Sequence, residues 1–154
     1  MKVPLIFDIV RGSTVDGPGI RTTVFFKGCN LDCAWCHNPE GKSPFPQLAF
    51  FGEKCSGCGA CARVCPKGNN ECLLCGACVS VCKTGARKIY GKSLSMDEIF
   101  DEIKKDKLFY DACGGGVTFS GGECMLYPEF LAGVAKMCQN ANISVAIDTA
   151  GCVP

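Results

Sequence analysis

Most of the cysteines in this chain occur in three tight groups, and their spacing limits what the chain can fold into. Eleven of the fifteen cysteines lie between residues 29 and 82. The first group has three thiols, Cys29, Cys33 and Cys36. The second has four and is followed by a proline: Cys55, Cys58, Cys61, Cys65 and Pro66. The third repeats this spacing with Lys83 in place of the proline: Cys72, Cys75, Cys78 and Cys82. Thiolates at these intervals are typical of four-iron clusters, so the pattern predicts three of them.

The three-thiol group differs chemically from the other two groups. Three thiolates leave one iron of a four-iron cluster without a protein ligand. An open iron can bind and activate a substrate, whereas a site closed by four thiolates only passes electrons. The sequence therefore predicts one reactive centre and two electron-transfer centres.

Two other uses of cysteine fit less well. A disulfide scaffold is disfavoured by the odd count of 15 cysteines and by thiols too closely spaced to pair across a fold. Zinc is the stronger alternative, but zinc sites usually take two CxxC pairs separated by a loop. Reduced thiols and oxygen-sensitive clusters indicate a cytoplasmic, anaerobic setting.

Charge and hydropathy exclude some classes of partner. The chain has 16 basic and 15 acidic residues, and a net charge of +1 gives no reason to expect nucleic acid or an anionic membrane. The opening residues do not resemble a signal peptide, and no apolar stretch approaches the ~20 residues that span a bilayer. We expect a cytoplasmic protein with neither kind of partner.

Outside the cysteine groups, the chain predicts an α/β fold. Apolar patterns predict strands at 5–10, 21–26, 116–120 and 143–147, and helices at 95–110 and 128–139. Ser95 and Glu98 form a capping box for the first helix. Alternation of strands and helices predicts parallel strands with helical crossovers. The loops 29–36, 120–123 and 148–151 each follow a strand, so we expect them along one edge of the sheet.

The middle of the chain predicts an inserted domain. Two halves of the eight-cysteine segment 55–82 align position for position, which indicates an internal repeat. We assign residues 51–83 to this insert. We assign 1–50 and 84–154 to the α/β domain. A complete eight-stranded barrel needs about 250 residues. This chain ends at Pro154 just after its third barrel strand, so we expect a partial barrel and a fragment of a longer protein.

Several motifs occur together in one order. VDGPGIRTTVFFKG precedes CNLDCAWC, HNPE follows it, and SGGE and DTAG come later. This series resembles the radical S-adenosylmethionine (SAM) enzymes, specifically the activating enzymes of glycyl radical enzymes. The eight-cysteine insert resembles the subgroup that carries a ferredoxin-like domain with two [4Fe–4S] clusters. The resemblance implies a partial (β/α) radical SAM barrel with that insert.

The resemblance also implies an oxidoreductase activity. Cys29, Cys33 and Cys36 would hold a [4Fe–4S] cluster whose fourth iron binds the amino and carboxylate groups of SAM. Reductive cleavage would give methionine and a 5′-deoxyadenosyl radical, which takes a hydrogen atom from a glycine of a partner enzyme. The cofactor carries this chemistry, and the protein supplies ligation and orientation.

Further residues gain roles from the same resemblance. Trp35 would pack beside the adenine of SAM, or it is a core aromatic, and the backbone of His37 would flank the adenine. Asp148 and Thr149 would help hold a monovalent cation, with a helix N-cap as the alternative. The loop expected to hold the methionyl amino group is Ser120, Gly121, Gly122 and Glu123.

The insert would bind its clusters across the repeat, because in two-cluster ferredoxins the fourth cysteine of each run ligates the other cluster. One cluster would take Cys55, Cys58, Cys61 and Cys82. The other would take Cys72, Cys75, Cys78 and Cys65. The pair would relay electrons from a flavodoxin or ferredoxin-type reductant, or be structural. We expect the cysteines outside these groups to be ordinary buried thiols: Cys113, Cys124, Cys138 and Cys152.

Two alternative functions stay open at this point. One is a ferredoxin-type electron carrier, or an inactive truncated activase. The other is a radical enzyme acting on a small molecule, against which the DGPGIR and HNPE motifs argue. The sequence does not specify which glycyl radical enzyme would be activated.

Overall fold

The computed structural model describes residues 2–68 and 72–153. The chain divides into two compact units, one formed by residues 1–45 and 91–154 and one by residues 46–90. Within the described residues, no helix has the length and apolar character needed to cross a membrane. The strands are β1 (Leu5–Ser13), β2 (Arg21–Phe26), β3 (Gln47–Phe50), β4 (Arg87–Tyr90), β5 (Lys92–Ser93), β6 (Gly116–Gly121) and β7 (Ser144–Ile147). The helices are α1 (Ala60–Arg63), α2 (Ala77–Ser80), α3 (Met96–Lys104), α4 (Lys107–Cys113) and α5 (Pro128–Asn140).

The first unit is built on a five-stranded sheet in the order β5-β1-β2-β6-β7. β2 pairs in parallel with β6, and β6 pairs in parallel with β7. Their connections contain helices, as parallel neighbours require. The expected parallel arrangement of these three strands is therefore confirmed, and their carboxyl ends lie along one edge.

The leading strand differs from the expected one. β1 extends to Ser13 rather than ending at residue 10, and it pairs antiparallel with β2. The segment between β1 and β2 is too short for a helical crossover, so it reverses the chain and makes β1 an antiparallel neighbour. The predicted series of parallel strands begins at β2, and the direction of the leading strand had not been predicted.

The core lies between the helices and one face of the sheet. Val24 and Phe26 of β2 and Phe119 of β6 are fully buried there. The Phe26 ring meets the ring of Phe119 edge-on with a centroid distance of 6.0 Å. The helices contribute a matching set of buried apolar side chains: Ile99, Ile103, Tyr110, Phe130, Leu131 and Val134. This packing holds the parallel strands and hence the edge where their loops meet.

The single helix expected at 95–110 is two helices. The capping box between Ser95 and Glu98 is present, so the predicted start is confirmed. The helix breaks at Asp106, whose backbone leaves helical geometry and precedes α4. The buried Asp106 carboxylate accepts hydrogen bonds from Arg11 and from the Thr22 hydroxyl. The donors of these bonds lie on strands β1 and β2, and the apolar periodicity of a helix carries no information about such distant partners.

The second unit is larger than the predicted insert of 51–83. β3 and β4 pair antiparallel, with Gln47 opposite Tyr90 and Phe50 opposite Arg87. This two-stranded sheet closes the unit and moves its boundaries to residues 46 and 90. The repeat is visible as α1 and α2, each of which follows a glycine with a positive φ, Gly59 at 69° and Gly76 at 79°.

Candidate functional site

Three motif-bearing loops meet at the carboxyl edge of the parallel strands. In the sheet register, Phe26 at the end of β2 lies opposite Gly121 at the end of β6. Beyond the strands, the Glu123 N–H donates to the Gly28 carbonyl at 2.8 Å. The Asp148 N–H donates to the Phe119 carbonyl at 2.9 Å, continuing the pairing past β7. The structure thus brings the SGGE and DTAG motifs and the start of the cysteine loop to one edge.

The two glycines of SGGE allow close contact between backbones. A Cβ on Gly122 would lie 2.2 Å from the Gly28 oxygen and 2.7 Å from the Gly41 oxygen. Gly121 has a φ of +110°, and its Cβ would lie 2.4 Å from the Phe26 nitrogen. These two glycines therefore let the backbone approach the end of β2 and the loop that follows it.

Glu123 is buried and connects the other two loops. Its carboxylate oxygen Oε1 accepts hydrogen bonds from the Thr149 hydroxyl at 2.8 Å and from the Met125 N–H at 3.0 Å. The other oxygen, Oε2, accepts from the Ala150 N–H at 3.0 Å. The side chain is 1% exposed. The charge is therefore satisfied by donors on the loop after β7 and on its own turn.

Asp148 and Thr149 are both exposed at the end of β7. The Ser120 hydroxyl donates to Oδ2 of Asp148 at 2.7 Å. The Thr149 hydroxyl oxygen also accepts from the Gly151 N–H at 3.0 Å. Two successive oxygen-bearing side chains therefore stand at the edge, beside the buried Glu123 carboxylate. Such hard oxygen ligands suit a small cation.

The three-cysteine loop begins at a buried lysine. Lys27 is fully buried, and its ammonium donates to the Glu40 carbonyl at 2.5 Å. Burial lowers the pKa of Lys27. The thiols that follow, Cys29, Cys33 and Cys36, are all half-buried and free.

Lys42 fixes this loop from its far side. Its ammonium donates to Oδ1 of Asp32 at 2.5 Å and to the Cys33 carbonyl at 3.2 Å. The hydrogen bond to Asp32 is the main cause that raises the pKa of Lys42, and the Cys36 and Cys33 thiols add to it. A cation is thus held beside thiols that must ionise to bind metal. Nothing in the sequence pattern had singled out Lys42.

The aromatic residue of the loop is not a core residue. Trp35 is 86% exposed, so the core alternative for this side chain is wrong. His37 is exposed as well. Both side chains are therefore on the surface of the loop.

The other face of the sheet carries a polar column that involves the DGPGIR motif. The buried Arg21 guanidinium donates to the Thr118 hydroxyl at 2.7 Å and to the Pro18 carbonyl at 3.2 Å. Thr23 donates to the Asp16 carboxylate at 2.6 Å. An open cavity of about 350 Å³ lies here, lined by Val15, Asp16, Gly17, Thr118, Ile147 and Asp148 among others. The motif therefore folds back onto this face and helps form the cavity.

In the second unit, the cysteines line two cavities. Cavity A has a volume of about 290 Å³ and contains the thiols Cys55, Cys58, Cys61 and Cys82. Cavity B has a volume of about 260 Å³ and contains the thiols Cys61, Cys65, Cys72, Cys75 and Cys78. Cavity A brings together the first three cysteines of one run and the last cysteine of the other. Cys61 lines both cavities, and each of the other seven thiols lines only the cavity of the cluster to which the ferredoxin pattern would assign it.

In the described parts of the chain, no three His, Cys, Asp or Glu side chains converge as they would around a single metal ion. A four-iron cluster takes its thiolates around its outside, so a cavity with thiols on its walls is the relevant geometry. Nearby donors favour the thiolate form. The Ala60 N–H lowers the pKa of Cys58, with help from the Ser56 hydroxyl, and the Thr84 hydroxyl lowers the pKa of Cys82. The donor set fits [4Fe–4S] clusters.

The cysteines outside the groups are of two kinds. Cys124 and Cys138 are buried as expected, and burial raises the pKa of Cys124 to about 12 and that of Cys138 to about 11. Cys113 and Cys152 are exposed, so the expectation of burial is wrong for them. Cys113 ends α4 and Cys152 follows the last strand, and neither position lies under another element.

Sequence reasoning also missed Arg87. This residue lines both cavity A and cavity B. The pKa of the Arg87 guanidinium is raised, mainly by its hydrogen bond to the Cys61 thiol. Arg87 lies outside the predicted insert of 51–83. Its place depends on the pairing of 87–90 with 47–50, for which the sequence Arg-Lys-Ile-Tyr gives no alternating apolar pattern.

Comparison with known proteins agrees with the motifs. The family model of the Radical SAM superfamily matches residues 23–154. The chain is 47% identical to the trans-4-hydroxy-L-proline dehydratase activating enzyme of Clostridioides difficile, over 96% of this chain and 53% of that protein. It is 46% identical to the benzylsuccinate synthase activating enzyme of Thauera aromatica, over 100% of this chain and 51% of that protein. It is 40% identical to the pyruvate formate-lyase 2-activating enzyme of Escherichia coli, over 99% of this chain and 47% of that protein.

These similarities cover 96–100% of this chain, which spans about half the length of the curated relatives it matches. The resemblance to activating enzymes that the motifs indicated is confirmed by them. The family model includes all three loops at the carboxyl edge, from Cys29 to Gly151. On these grounds, the chain belongs to the radical SAM superfamily.

Proposed function

We propose that this chain is the part of a glycyl radical enzyme activating enzyme that binds the catalytic cluster and SAM. The observation that carries the proposal is the meeting of three motif loops at one edge of the parallel strands, where the Glu123 backbone bonds to Gly28 and its side chain bonds to Thr149. A carrier of electrons needs no such arrangement. Ligand sites of α/β sheets occur at this edge.

Cys29, Cys33 and Cys36 would hold a [4Fe–4S] cluster, and all three thiols are half-buried rather than enclosed in the core. When bound, the cluster supplies the electron that cleaves SAM to methionine and a 5′-deoxyadenosyl radical. The protein's part is to hold and orient the cofactor. Lys42 fixes the Cys33 end of the loop, and its charge favours thiolates there.

The remaining residues at the edge would hold SAM itself. Trp35 and the backbone of His37 would flank the adenine, for which the exposed indole is available. The Ser120–Glu123 segment would hold the methionyl amino group. Because the Glu123 carboxylate already accepts three hydrogen bonds from its own chain, this side chain also fixes the two loops relative to each other.

Asp148 and Thr149 would hold a monovalent cation beside the carboxylate of SAM. Their oxygens are consecutive and exposed, and Ser120 positions the Asp148 carboxylate. The alternative role, an N-cap for a following helix, uses the same side chains to accept backbone N–H groups. Potassium-dependent binding of SAM would separate the two roles.

The second unit would be a ferredoxin-like domain with two [4Fe–4S] clusters. Cavity A would hold one through Cys55, Cys58, Cys61 and Cys82. Cavity B would hold the other through Cys65, Cys72, Cys75 and Cys78. The clusters would pass electrons from a flavodoxin or ferredoxin-type reductant, in the cytoplasm, toward the catalytic cluster. A structural role is the alternative.

The substrate would be a glycine of a large partner enzyme. The three relatives described above are named for a dehydratase, a synthase and a lyase. We propose neither nucleic acid nor a membrane surface as a partner, because a net charge of +1 gives little electrostatic attraction to either polyanion.

The test is anaerobic reconstitution of the chain with iron and sulfide, followed by dithionite and SAM. We expect 5′-deoxyadenosine by mass spectrometry, and an electron paramagnetic resonance (EPR) spectrum of the reduced protein that changes on adding SAM. Clusters that are reduced without cleavage and without a spectral change would instead identify an electron carrier. Zinc in place of iron in the anaerobically purified protein would refute both readings.

A further inference from the structure

One buried polar atom in the second unit lacks a partner. Among the residues that the structure describes, Nε of Arg87 is the one buried side-chain nitrogen or oxygen without a hydrogen bond. Leaving a buried donor unsatisfied costs free energy, so each such atom calls for an explanation. An acceptor that binds in the adjoining cavities would satisfy it.

Arg87 stands between the two cavities. It and Cys61 are the two described residues that line both cavity A and cavity B. The other cations line one cavity each, Arg63 and Lys83 in cavity A and Lys67 in cavity B. One guanidinium is therefore available to the contents of both cavities.

The position of Arg87 is fixed by its neighbours. It is the first residue of β4 and lies opposite Phe50 of β3 in the antiparallel pair. Its guanidinium carbon lies 5.1 Å from the centroid of the Phe50 ring. Stacking on an aromatic face suits the planar guanidinium and limits its freedom. The donor is thus held in place before any ligand binds.

The chemistry of the cavities identifies the acceptor. A cluster with four thiolates carries net negative charge, and its reduction potential depends on that charge and on hydrogen bonds to its sulfurs. Arginine keeps its charge at all relevant pH values and presents five N–H donors in a rigid fork. Reduction adds a further negative charge, so a nearby cation favours the reduced form.

We infer that Arg87 is shared by the two insert clusters. It donates hydrogen bonds to sulfur in each cluster and raises both reduction potentials together. The inference rests on the proposed binding of two [4Fe–4S] clusters in this unit. Its consequence is that both clusters become easier to reduce, while the difference between their two potentials stays nearly the same. No other described cation of the two cavities can do this, because each lines only one.

The experiment is an EPR-monitored redox titration of the full chain carrying Cys33→Ala, which removes the catalytic cluster and leaves the insert clusters. Arg87→Gln on this background removes the charge but keeps a polar side chain. We expect the equilibrium constant for reduction to fall about tenfold at both clusters, which corresponds to about 59 mV for a one-electron couple. Arg87→Lys keeps the charge but loses the fork, and we expect a smaller fall at both.

Matched controls are Arg63→Gln in cavity A and Lys67→Gln in cavity B, each of which should move one midpoint at most. Arg87→Gln moving neither midpoint, or only one, would overturn the inference. If Arg87→Gln fails to retain iron, Arg87→Lys decides: unchanged midpoints overturn the inference, and a fall in both supports it. Absence of both clusters from the parent Cys33→Ala protein would instead refute the proposed insert clusters.

Discussion

The Thr149 hydroxyl donates a 2.8 Å hydrogen bond to the buried carboxylate of Glu123. This bond joins the loop after β7 to the loop after β6, and the Ala150 N–H adds a second bond to the same carboxylate. The preceding residue, Gly122, lies close to the Gly28 carbonyl. This close approach places the loop after β2 beside the loop after β6. The edge of the sheet is therefore one connected structure rather than three separate loops.

Replacing the buried carboxylate with an amide should loosen this edge. In Glu123→Gln, the new NH₂ group would face a backbone N–H donor, leaving a buried group unsatisfied at a cost of about 1–3 kcal/mol. We expect a lower free energy of unfolding by chemical denaturation and faster amide exchange at Ala150. The exposed Glu53→Gln is the control and should change stability by only a few tenths of a kcal/mol, within about ±0.5. Unchanged exchange at Ala150 would contradict the role assigned to Glu123.

A methyl group at Gly122 should be poorly tolerated. The Cβ of Gly122→Ala would meet the backbone oxygens of Gly28 and Gly41 at 2.2 and 2.7 Å, and backbone cannot move aside as a flexible side chain can. We expect a loss of about 1–3 kcal/mol in thermal or chemical denaturation, the range for overpacking. Gly52→Ala is the control, since its Cβ would have no atom within 4 Å. Equal stability of the two variants would show that the loops separate easily.

Asp106 should make the fold sensitive to acid. Arg11 is the main cause that lowers the pKa of this carboxyl, with help from the Thr22 hydroxyl. A depressed pKa stabilises the fold above the unfolded value of about 3.9, and this stabilisation is lost as pH falls through the folded pKa. We expect Asp106→Asn to be less stable at pH 7 and to lose less stability on acidification. Denaturation curves from pH 7 down to about pH 3 measure both effects.

The control for Asp106 is Asp101→Asn, which removes a surface ion pair with Lys104 whose side chains are 65% and 48% exposed. Such pairs contribute about 0–1 kcal/mol. The pH profile of this variant should match the parent protein. A parallel loss of acid sensitivity in both variants would show that general charge, not the Arg11 contact, sets the profile.

The catalytic and insert clusters should be separable by mutation. Cys33→Ala removes one ligand of the catalytic cluster and so disables one of the three proposed cluster sites. We expect the iron content to fall by about a third and cleavage of SAM to stop. Cys58→Ala changes cavity A instead, and we expect the EPR response to SAM to persist. Iron analysis and EPR of the reduced proteins provide the measurement. Loss of all iron from either variant would argue against independent sites.

The four cysteines outside the groups should be alkylated at rates that follow the exposure of their thiols. Burial raises the pKa of Cys124 to about 12 and of Cys138 to about 11, so at pH 8 both are protonated and shielded thiols. In the cluster-loaded protein, we expect iodoacetamide to modify Cys113 and Cys152 well before either of them. Peptide mass spectrometry over a time course measures the order. Early labelling of Cys124 would indicate that the edge opens in solution.

Local features of the sequence determined the cysteine groups, the strands that precede the motif loops, and the capping box at Ser95. Spacing along the chain decides these directly, because ligand runs, caps and strand periods involve residues a few positions apart. The placement of three loops along one edge also followed, since helical crossovers make their strands parallel.

Only the tertiary structure decided which atoms meet across long separations. The break at Asp106 depends on Arg11, about a hundred residues earlier, and the burial of Glu123 depends on donors from the loop after β7. The insert boundaries depend on the pairing of β3 with β4, and the place of Arg87 between two cavities follows from that pairing. Periodicity reports which face of an element is apolar, but a polar contact depends on the identity of the distant neighbour, which folding alone supplies.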